Sequence, residues 1–445
     1  MIAESGFQGA RREEIATETR EIEQELLRCV RCGACMGSCP VYAQMHHEGG
    51  VARGKLMLIQ AAMRDGARLG EGEKRYLEAC LLCGACTQSC PNRVDTPAVV
   101  RAAREILVTA GVSGGLTHFA LRRMLPSPRG LAALLKIARS ARALWARRIP
   151  ASSGLHLRFV HDLAGRPRWM PEIARRFALE MGFSTRFSGH GVKVALFTGC
   201  VNNYLRPSVI EASVRVLGKL GAAVIVPKDQ ACCGLPSLSS GERGAAVALA
   251  RRNLEAFFPG DSPWPEHIVT PCGSCAYLLR KHLPRLLADD PERAERARAF
   301  GERVLTFSQF WAKGSPGQVS GQPAQGPILT YHDPCHLSRG LEEMATPRKL
   351  LNSLSAARFL EMAAADRCCG FGGTFHLSRA DLSAGIADIK MTSILASGAS
   401  GVVTECSGCN LWLSEQLAEV APGIQVLTTV EALERYSPGG SNTSK

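Results

Sequence analysis

Hydrophobic residues follow different patterns in the two halves of this chain. From Val192 onward, short apolar runs such as VKVALF (192–197) and ILTY (328–331) indicate buried strands. Longer stretches such as RPSVIEASVRVLGKLG, between these runs, indicate helices. Strands that alternate with helices predict α/β domains.

The first 190 residues carry helical patterns instead. Residues 12–28 place apolar side chains on one side of a helix, and the stretch between Cys39 and Cys80 is mostly helical in character. Residues 98–190 also look helical, with breaks at PSPRG and RIPASSG. We therefore expect an all-α N-terminal domain and a helical connector.

These patterns divide the chain into six segments. One of them is rich in Gly, Pro, Ser and Gln, which is typical of a linker. The expected segments are a helical domain at 1–110, a basic helical connector at 111–190, a first α/β domain at 191–312, the linker at 313–327, a second α/β domain at 328–436 and a disordered tail at 437–445.

Cysteines indicate that the second α/β domain repeats the first. Each copy has one cysteine after its first strand, then a Cys-Cys-Gly triplet, then a Cys-x-x-Cys pair. The long spacings are 31 and 38 residues in the first copy, and 32 and 36 in the second. The ten cysteines are Cys200, Cys232, Cys233, Cys272 and Cys275 in the first copy, and Cys335, Cys368, Cys369, Cys406 and Cys409 in the second.

The chain has eighteen cysteines, a number that favours metal sites over disulfides in a reducing compartment. Its N-terminus is highly charged and lacks the apolar core of a secretory signal. No apolar run approaches the roughly 18 residues that a membrane-spanning helix needs. We therefore expect a cytoplasmic protein whose thiols stay reduced.

Eight cysteines form two runs with the spacing C-x2-C-x2-C-x3-C-P. This is the spacing of bacterial ferredoxins, in which the fourth cysteine of a run binds the cluster of the other run. Zinc is the alternative, but the triple spacing followed by Cys-Pro favours [4Fe–4S] clusters. The predicted ligand sets are Cys29, Cys32, Cys35 and Cys90 for one cluster, and Cys80, Cys83, Cys86 and Cys39 for the other.

The repeat cysteines are expected to meet at the carboxyl ends of the strands, where open α/β sheets form their sites. Five thiols exceed the four that one zinc ion takes, and two adjacent thiolates can bind neighbouring metals or bridge them. The glycine after each pair allows a sharp turn. His332, Asp333 and His336 flank Cys335, and they could orient ligands or simply form a polar turn.

The pattern of a single cysteine, Cys-Cys-Gly and Cys-x-x-Cys resembles the cysteine-rich CCG domain of heterodisulfide reductase catalytic subunits and lactate-utilisation proteins. A two-cluster ferredoxin domain followed by two CCG domains looks most like the glycolate oxidase iron–sulfur subunit family. The stretch GGVARGKLMLIQ is also similar to that family. The C subunit of anaerobic glycerol-3-phosphate dehydrogenase shares the architecture.

The resemblance implies an all-α ferredoxin domain with two [4Fe–4S] clusters, and one or two further iron–sulfur clusters, or zinc, in the CCG domains. It also implies an electron-transfer subunit that is not catalytic alone. Such a subunit takes electrons from an FAD-containing dehydrogenase of glycolate or D-lactate and passes them toward a membrane quinone. A heterodisulfide-reductase-like enzyme, the glycerol-3-phosphate subunit and a metal-dependent scaffold are the alternatives.

Nucleotide-binding motifs are missing from the sequence. There is no P-loop, and GFGGTF (370–375) lacks the third glycine of a dinucleotide fingerprint. We therefore expect no flavin bound by this chain itself.

Positive charge is concentrated in one part of the chain. The net charge is +13, and residues 101–186 contain sixteen Lys or Arg against four Asp or Glu. This region could contact an acidic partner, or an anionic membrane surface on the cytoplasmic face of the inner membrane. It could also be a solvated face. Nucleic acid is not expected, because no recognition motif accompanies the charge.

Overall fold

The computed structural model describes residues 22–64, 69–141, 172–187, 190–260, 263–314 and 325–437, together with three short strands between 146 and 170. The first part of the predicted helix at 12–28, most of the predicted linker and nearly all of the predicted tail lie outside the described residues. No described helix is long and apolar enough to cross a membrane.

The N-terminal region is rich in helices. Its described helices are α1 (22–28), α2 (Tyr42–Met45), α3 (Ala52–Arg64), α4 (Glu71–Glu78), α5 (Ala85–Ser89), α6 (Thr96–Thr109), α7 (Leu116–Phe119) and α8 (Pro128–Ser140). Asp95 precedes helix α6, and its carboxylate caps the helix by accepting a hydrogen bond from the Ala98 amide at 3.0 Å. Leu77, Val100 and Leu107 are fully buried in a core of this region.

The connector is helical only in its first part, which contains α7, α8 and a π-helical turn at Ala120–Met124. Where the structure describes residues 146–170, it has strands in place of the predicted helix. Three strands, β1 (Ala146–Arg148), β2 (Leu157–Phe159) and β3 (Trp169–Met170), form an antiparallel sheet in the order β1-β2-β3. The reason is local, because prolines at 150 and 167 interrupt a helix and Leu-Arg-Phe in β2 alternates apolar and basic residues.

Each copy of the cysteine repeat folds into strands alternating with helices. The first copy contains β4 (Val192–Leu196), α9 (Cys200–Tyr204), α10 (Pro207–Lys219), β5 (Ala222–Ile225), α11 (Leu235–Ser239), α12 (Arg243–Phe257), β6 (His267–Thr270), α13 (Gly273–Tyr277), α14 (Leu283–Leu286), α15 (Ala294–Arg303), β7 (Val304–Thr306) and α16 (Phe307–Gly314). The second contains β8 (Ile328–Tyr331), α17 (Ala345–Asn352), β9 (Arg358–Phe359), α18 (Phe375–Ser378), α19 (Ala380–Ala396), β10 (Gly401–Val403), α20 (Ser407–Val420), β11 (Gln425–Leu427) and α21 (Thr429–Tyr436).

Both copies form a four-stranded parallel sheet with the same topology. The strand order is β5-β4-β6-β7 in the first copy and β9-β8-β10-β11 in the second. In each sheet the second strand lies outside the first, and the third and fourth follow on the other side. The repeat of the cysteines is therefore a repeat of the fold, although the hydrophobic pattern did not predict β7 and β11.

The two copies pack against each other. Phe197 of the first copy lies in one hydrophobic cluster with Val402 and Leu413 of the second. Glu405 is buried at the same interface, where its carboxylate accepts hydrogen bonds from the amide and the hydroxyl of Ser308 at 2.8 and 2.5 Å. A shared core of this kind holds the cysteine-bearing strand ends of the two copies in a fixed relation.

The N-terminal region packs on both copies. The Gln44 side chain donates a hydrogen bond to the Gly385 carbonyl at 3.2 Å, in the second copy. Arg104 is buried, and it donates to the carbonyls of Ser239 in the first copy and Cys80 in its own region, each at 2.6 Å. These contacts bring the first eight cysteines close to the other ten.

Candidate metal centres

The two cysteine runs of the N-terminal region fold into matching loops. The residue two positions after the first cysteine of each run, Arg31 or Leu82, has φ of 59° or 53°. The glycine two positions later, Gly33 or Gly84, has φ of 85° or 73°. All four lie in the left-handed region, which turns the chain sharply and which glycine tolerates at no steric cost. The first three cysteines of each run therefore lie on one tight loop.

Cys39 lies with the cysteines of the other run. Together with Cys80, Cys83 and Cys86 it lines one open cavity. Burial, followed by the charges of Cys80 and Cys39, raises the pKa of Cys86 to about 12. Buried Lys55 lines the same cavity. Four thiols around one cavity are the donors that a [4Fe–4S] cluster requires, so these residues fit such a group.

The end of the second run lies beside the start of the first. The Asn92 side chain donates to the Arg28 carbonyl at 2.7 Å, and the Arg28 side chain donates to the Asn92 carbonyl at 2.6 Å. These bonds hold the segment after Cys90 next to the residue before Cys29. The pKa of Cys35 is raised by burial, and the charge of Cys29 raises it further. Which thiol binds which cluster stays a prediction.

In the first copy, five thiols meet at the carboxyl end of the sheet. Cys200 follows β4, the pair Cys232 and Cys233 follows β5, and Cys272 and Cys275 follow β6. The Sγ atoms of Cys232 and Cys200 are 3.6 Å apart. Hydrogen bonds from Cys232 and Cys275 lower the pKa of Cys233 well below its ordinary value, because they stabilise its thiolate.

The second copy repeats this arrangement after β8, β9 and β10. Hydrogen bonds from Cys335 and Cys369 lower the pKa of Cys368 well below its ordinary value. Cys409 hydrogen-bonds to Cys369, which raises the pKa of Cys409. His332 belongs to the same group, because one of its ring nitrogens and the Sγ atoms of Cys369 and Cys409 all lie within 4.8 Å of one another.

The two groups of thiols contact each other. Cys272 of the first copy hydrogen-bonds with Cys406 of the second. At the other end, the charge of Cys83 acts on Cys335, and that of Cys368 acts on Cys83. Neighbouring thiols therefore form one series, in the order Cys83, Cys335, Cys368, Cys369, Cys409, Cys406, Cys272, Cys275, Cys233, Cys232 and Cys200.

Two polar residues beside the first cysteine of the second copy make specific contacts. Asp333 is buried and accepts two hydrogen bonds from Arg348, at 2.9 and 2.7 Å. Ser274 Oγ lies 2.9 Å from His336 Nδ1 and 3.2 Å from Cys406 Sγ. The prediction that these residues orient the ligands remains open, but His336 contacts a hydroxyl that touches a thiol.

Two cationic side chains near the thiols, Arg339 and Lys390, were not predicted from the sequence. Arg339 donates to Gln88 at 2.9 Å, which links the second copy to the N-terminal region. Lys390 is buried and donates to the carbonyls of Ala364 and Ala365 at 2.8 and 3.1 Å, just before the cysteine pair. Neither belongs to a motif. An alignment of the two copies would have singled out Lys390, since the first copy has Asn there.

Family models match three parts of the chain. The model of the 4Fe-4S dicluster domain matches residues 25–94, and that of the cysteine-rich domain, CCG, matches residues 194–280 and 329–414. Together these ranges contain all eighteen cysteines. The chain therefore carries 4Fe–4S clusters in its N-terminal region and two cysteine-rich domains after it.

Three similar proteins come from different bacteria and archaea, and two of their names refer to oxidation or reduction. The "Probable glycolate oxidase iron-sulfur subunit" of Bacillus subtilis is 29% identical over 87% of this chain and 88% of its own length. "Lactate utilization protein A" of an Exiguobacterium species is 35% identical over 54% of this chain and 96% of its own. One subunit of a "Fumarate reductase (CoM/CoB)", from Methanothermobacter marburgensis, is 26% identical over 94% of this chain and 74% of its own.

Among solved structures, a hypothetical protein from Helicobacter pylori has a TM-score of 0.48 and 11% identity, over 93% of this chain and 71% of that one. This likeness is too weak to carry an argument. The dicluster domain, the paired cysteine-rich domains and the relatives agree with one another. The chain therefore belongs to the iron–sulfur protein family that includes lactate utilization protein A, and it is similar over most of its length to the glycolate oxidase iron–sulfur subunit.

Proposed function

We propose that this chain is the iron–sulfur subunit of a dehydrogenase that oxidises a 2-hydroxy acid, glycolate or D-lactate. An FAD-containing partner subunit takes the electron pair from the substrate, and this chain carries the electrons singly toward a membrane quinone. The names of two relatives, one for glycolate oxidase and one for lactate utilization, support this proposal.

The continuous series of thiols from the N-terminal region through both copies carries the proposal. Iron–sulfur clusters bound at these cysteines supply one-electron carriers. Cys32, in the first run, is exposed, whereas Cys272 and Cys406, between the two copies, are buried. Centres that lie both near the surface and in the interior suit a relay between two partners.

The protein surroundings of the thiols influence the bound clusters through burial and through nearby positive charge. Burial of most thiols in the two copies keeps water away from the centres there. Lys55 lines the cavity of Cys39, and Lys390 is buried close to Cys368 and Cys369. Since a nearby positive charge stabilises added negative charge, these lysines favour the reduced state of a bound cluster.

A partner is required because the oxidation of a hydroxy acid releases two electrons, which a flavin can accept together and a cluster cannot. We therefore expect the purified, cluster-loaded chain to oxidise neither glycolate nor D-lactate. Adding the FAD subunit should make the cluster absorbance bleach when substrate is mixed in anaerobically, as measured by stopped flow. Bleaching by hydroxy acid in the absence of any flavoprotein would contradict the relay.

The same proposal places the quinone end of the relay at a membrane surface. Helix α8 exposes Leu134 and Ile137 beside Lys136 and Arg139, which suits shallow binding to anionic lipid. We expect the protein to sediment with anionic vesicles at low salt and to be released at high salt. Equal sedimentation with neutral vesicles would argue against this contact.

Catalysis on thiols or disulfides is a second candidate, because the two groups of thiols meet at Cys272 and Cys406. The chain reduced with dithionite distinguishes the two functions. In a relay, the reduced clusters are reoxidised rapidly by a quinone analogue and only slowly by an organic disulfide. A disulfide-reducing enzyme shows the opposite preference.

A further inference from the structure

His332 lies inside the group of thiols of the second copy. It follows β8, and its amide extends the sheet by donating to the Val403 carbonyl at 2.9 Å. Its side chain is buried, with 1% of its surface exposed. One ring nitrogen and the Sγ atoms of Cys369 and Cys409 lie within 4.8 Å of one another. Three donor atoms of different residues thus converge on one point.

The imidazole has one nitrogen without a partner. Nδ1 is buried and makes no hydrogen bond within the described part of the chain. The ring also interacts with the backbone of Ala365. A histidine that donates one N–H to a carbonyl offers the lone pair of its other nitrogen, as metal-bound histidines do. An unused lone pair at this depth is unfavourable, and a metal would offset that cost.

The first copy lacks this donor. Three residues before its first cysteine, Cys200, stands Phe197, whereas His332 stands three residues before Cys335. Phe197 is buried in a hydrophobic cluster. The two copies therefore share five thiols and differ in one possible ligand.

We propose that His332 binds, through a ring nitrogen, the metal that Cys369 and Cys409 bind in the second copy. The second centre then has a nitrogen ligand, and the first has only sulfur. Imidazole and thiolate together suit both iron and zinc. If the metal is an iron–sulfur cluster, histidine raises its reduction potential above that of an all-thiolate cluster, as it does in Rieske centres. The inference goes beyond the electron relay and requires only a metal in the second copy.

Pulsed EPR on the anaerobically purified full-length protein tests this assignment. Protein partly reduced with dithionite is compared after growth with ¹⁴N- or ¹⁵N-histidine. In the wild type we expect a hyperfine coupling to nitrogen that changes with the isotope label. The coupling should disappear in His332→Phe, which carries the residue found at this position in the first copy. His336→Phe is the matched control and should keep the coupling. If metal analysis finds zinc in the second copy, zinc-edge X-ray absorption should give one nitrogen at about 2.0 Å beside sulfur at about 2.3 Å.

Two results would overturn the proposal. One is a wild type with neither a coupled histidine nitrogen nor a nitrogen in the zinc shell, and this result needs no variant to fold. The other is His332→Phe with full metal content and an unchanged coupling. Failure of the FAD subunit to reduce the clusters would contradict the proposed function and leave this assignment standing.

Discussion

The glycine after each cysteine pair lets the chain turn where two neighbouring thiols must both face a centre. Gly234 and Gly370 have φ of 100° and 95°, in the left-handed region. A Cβ at Gly370 would also lie 2.7 Å from the Ser383 carbonyl oxygen, closer than real Cβ atoms approach. Any other residue would therefore shift the pair away from the thiols of the neighbouring strands.

Single substitutions can test whether the fourth cysteine of each run binds the cluster of the other run. Cys39 shares a cavity with Cys80, Cys83 and Cys86, which leaves Cys90 for the other cluster. Cys90→Ser should therefore alter the EPR signal of the cluster held by the first run and leave the other signal intact. Cys39→Ser should do the reverse. Damage to the second run's cluster alone in Cys90→Ser would show that the exchange is wrong.

The second copy has a positive charge, on Lys390, at a position where the first copy has the neutral Asn253. Gly234 packs on Leu249 and Gly370 packs on Ile386, and this register aligns Lys390 with Asn253. None of the ion pairs among the described residues includes Lys390. Burial lowers its pKa, and the charges of Cys369 and Cys368 oppose that effect most strongly.

Lys390→Asn should make the reduction potential of the second centre more negative. A loss of about 1–2 kcal/mol of favourable charge interaction corresponds to a shift on the order of 50–100 mV for one electron. An EPR-monitored redox titration measures the shift, and Lys390→Arg should keep most of the wild-type potential. An unchanged potential in the Asn variant would mean that the charge is screened from the cluster.

At the scale of the elements, a buried carboxylate holds the helical part of the connector against the first copy. Glu242, at the start of α12, lies 2.8 Å from His118 Nδ1 and accepts two hydrogen bonds from Arg122, both at 2.9 Å. Burial raises the pKa of Glu242, but the bonds to Arg122 and His118 outweigh it and lower the pKa overall. The carboxylate is therefore charged at neutral pH and paired with the connector.

Glu242→Gln should lower the free energy of unfolding by about 2 kcal/mol, because hydrogen bonds to a charged group contribute about 1.5–3 kcal/mol. Thermal denaturation of the anaerobic protein at neutral pH measures the loss. Lys136→Ala removes an ion pair with Glu180 that is largely exposed, so it should cost less than about 1 kcal/mol. Equal losses in the two variants would mean that Glu242 does not anchor the connector.

For the whole molecule, Arg339 lies where the N-terminal region meets the second copy. It donates to Gln88 at 2.9 Å and to Asp366 at 3.0 Å, and the charges of Cys83 and Cys335 raise its pKa against the effect of burial. This junction is the point at which electrons would pass from the N-terminal clusters to the CCG domains.

Arg339→Ala should slow reduction of the second centre by the N-terminal clusters at least tenfold. The reason is that the loss of a charge-assisted contact of about 1.5–3 kcal/mol loosens the junction. Freeze-quench EPR after rapid reduction follows both sets of clusters. Lys349→Ala, on an exposed turn of α17, is the control and should keep the wild-type rate. A wild-type rate in Arg339→Ala would place the electron path elsewhere.

Much of the fold and of the candidate site could be predicted, because cysteine spacing and strand patterns are local. The ferredoxin spacing predicted two cysteine loops between Cys29 and Cys90. The short apolar runs predicted the strands β4, β6, β8 and β10. The strands between 146 and 170 were missed because they are two or three residues long, too short for a periodic pattern. The fourth strands, β7 and β11, are three residues each and were missed for the same reason.

The sequence by itself determined which residues bear the chemistry, since the number, order and spacing of eighteen cysteines are properties of the chain. Only the tertiary structure decided how the centres are related. The contact of Cys272 with Cys406, the position of Cys83 beside the second copy, and the place of His332 among the thiols join residues far apart in the chain. Such contacts depend on how whole sheets pack against one another, and no local pattern of residues encodes that packing.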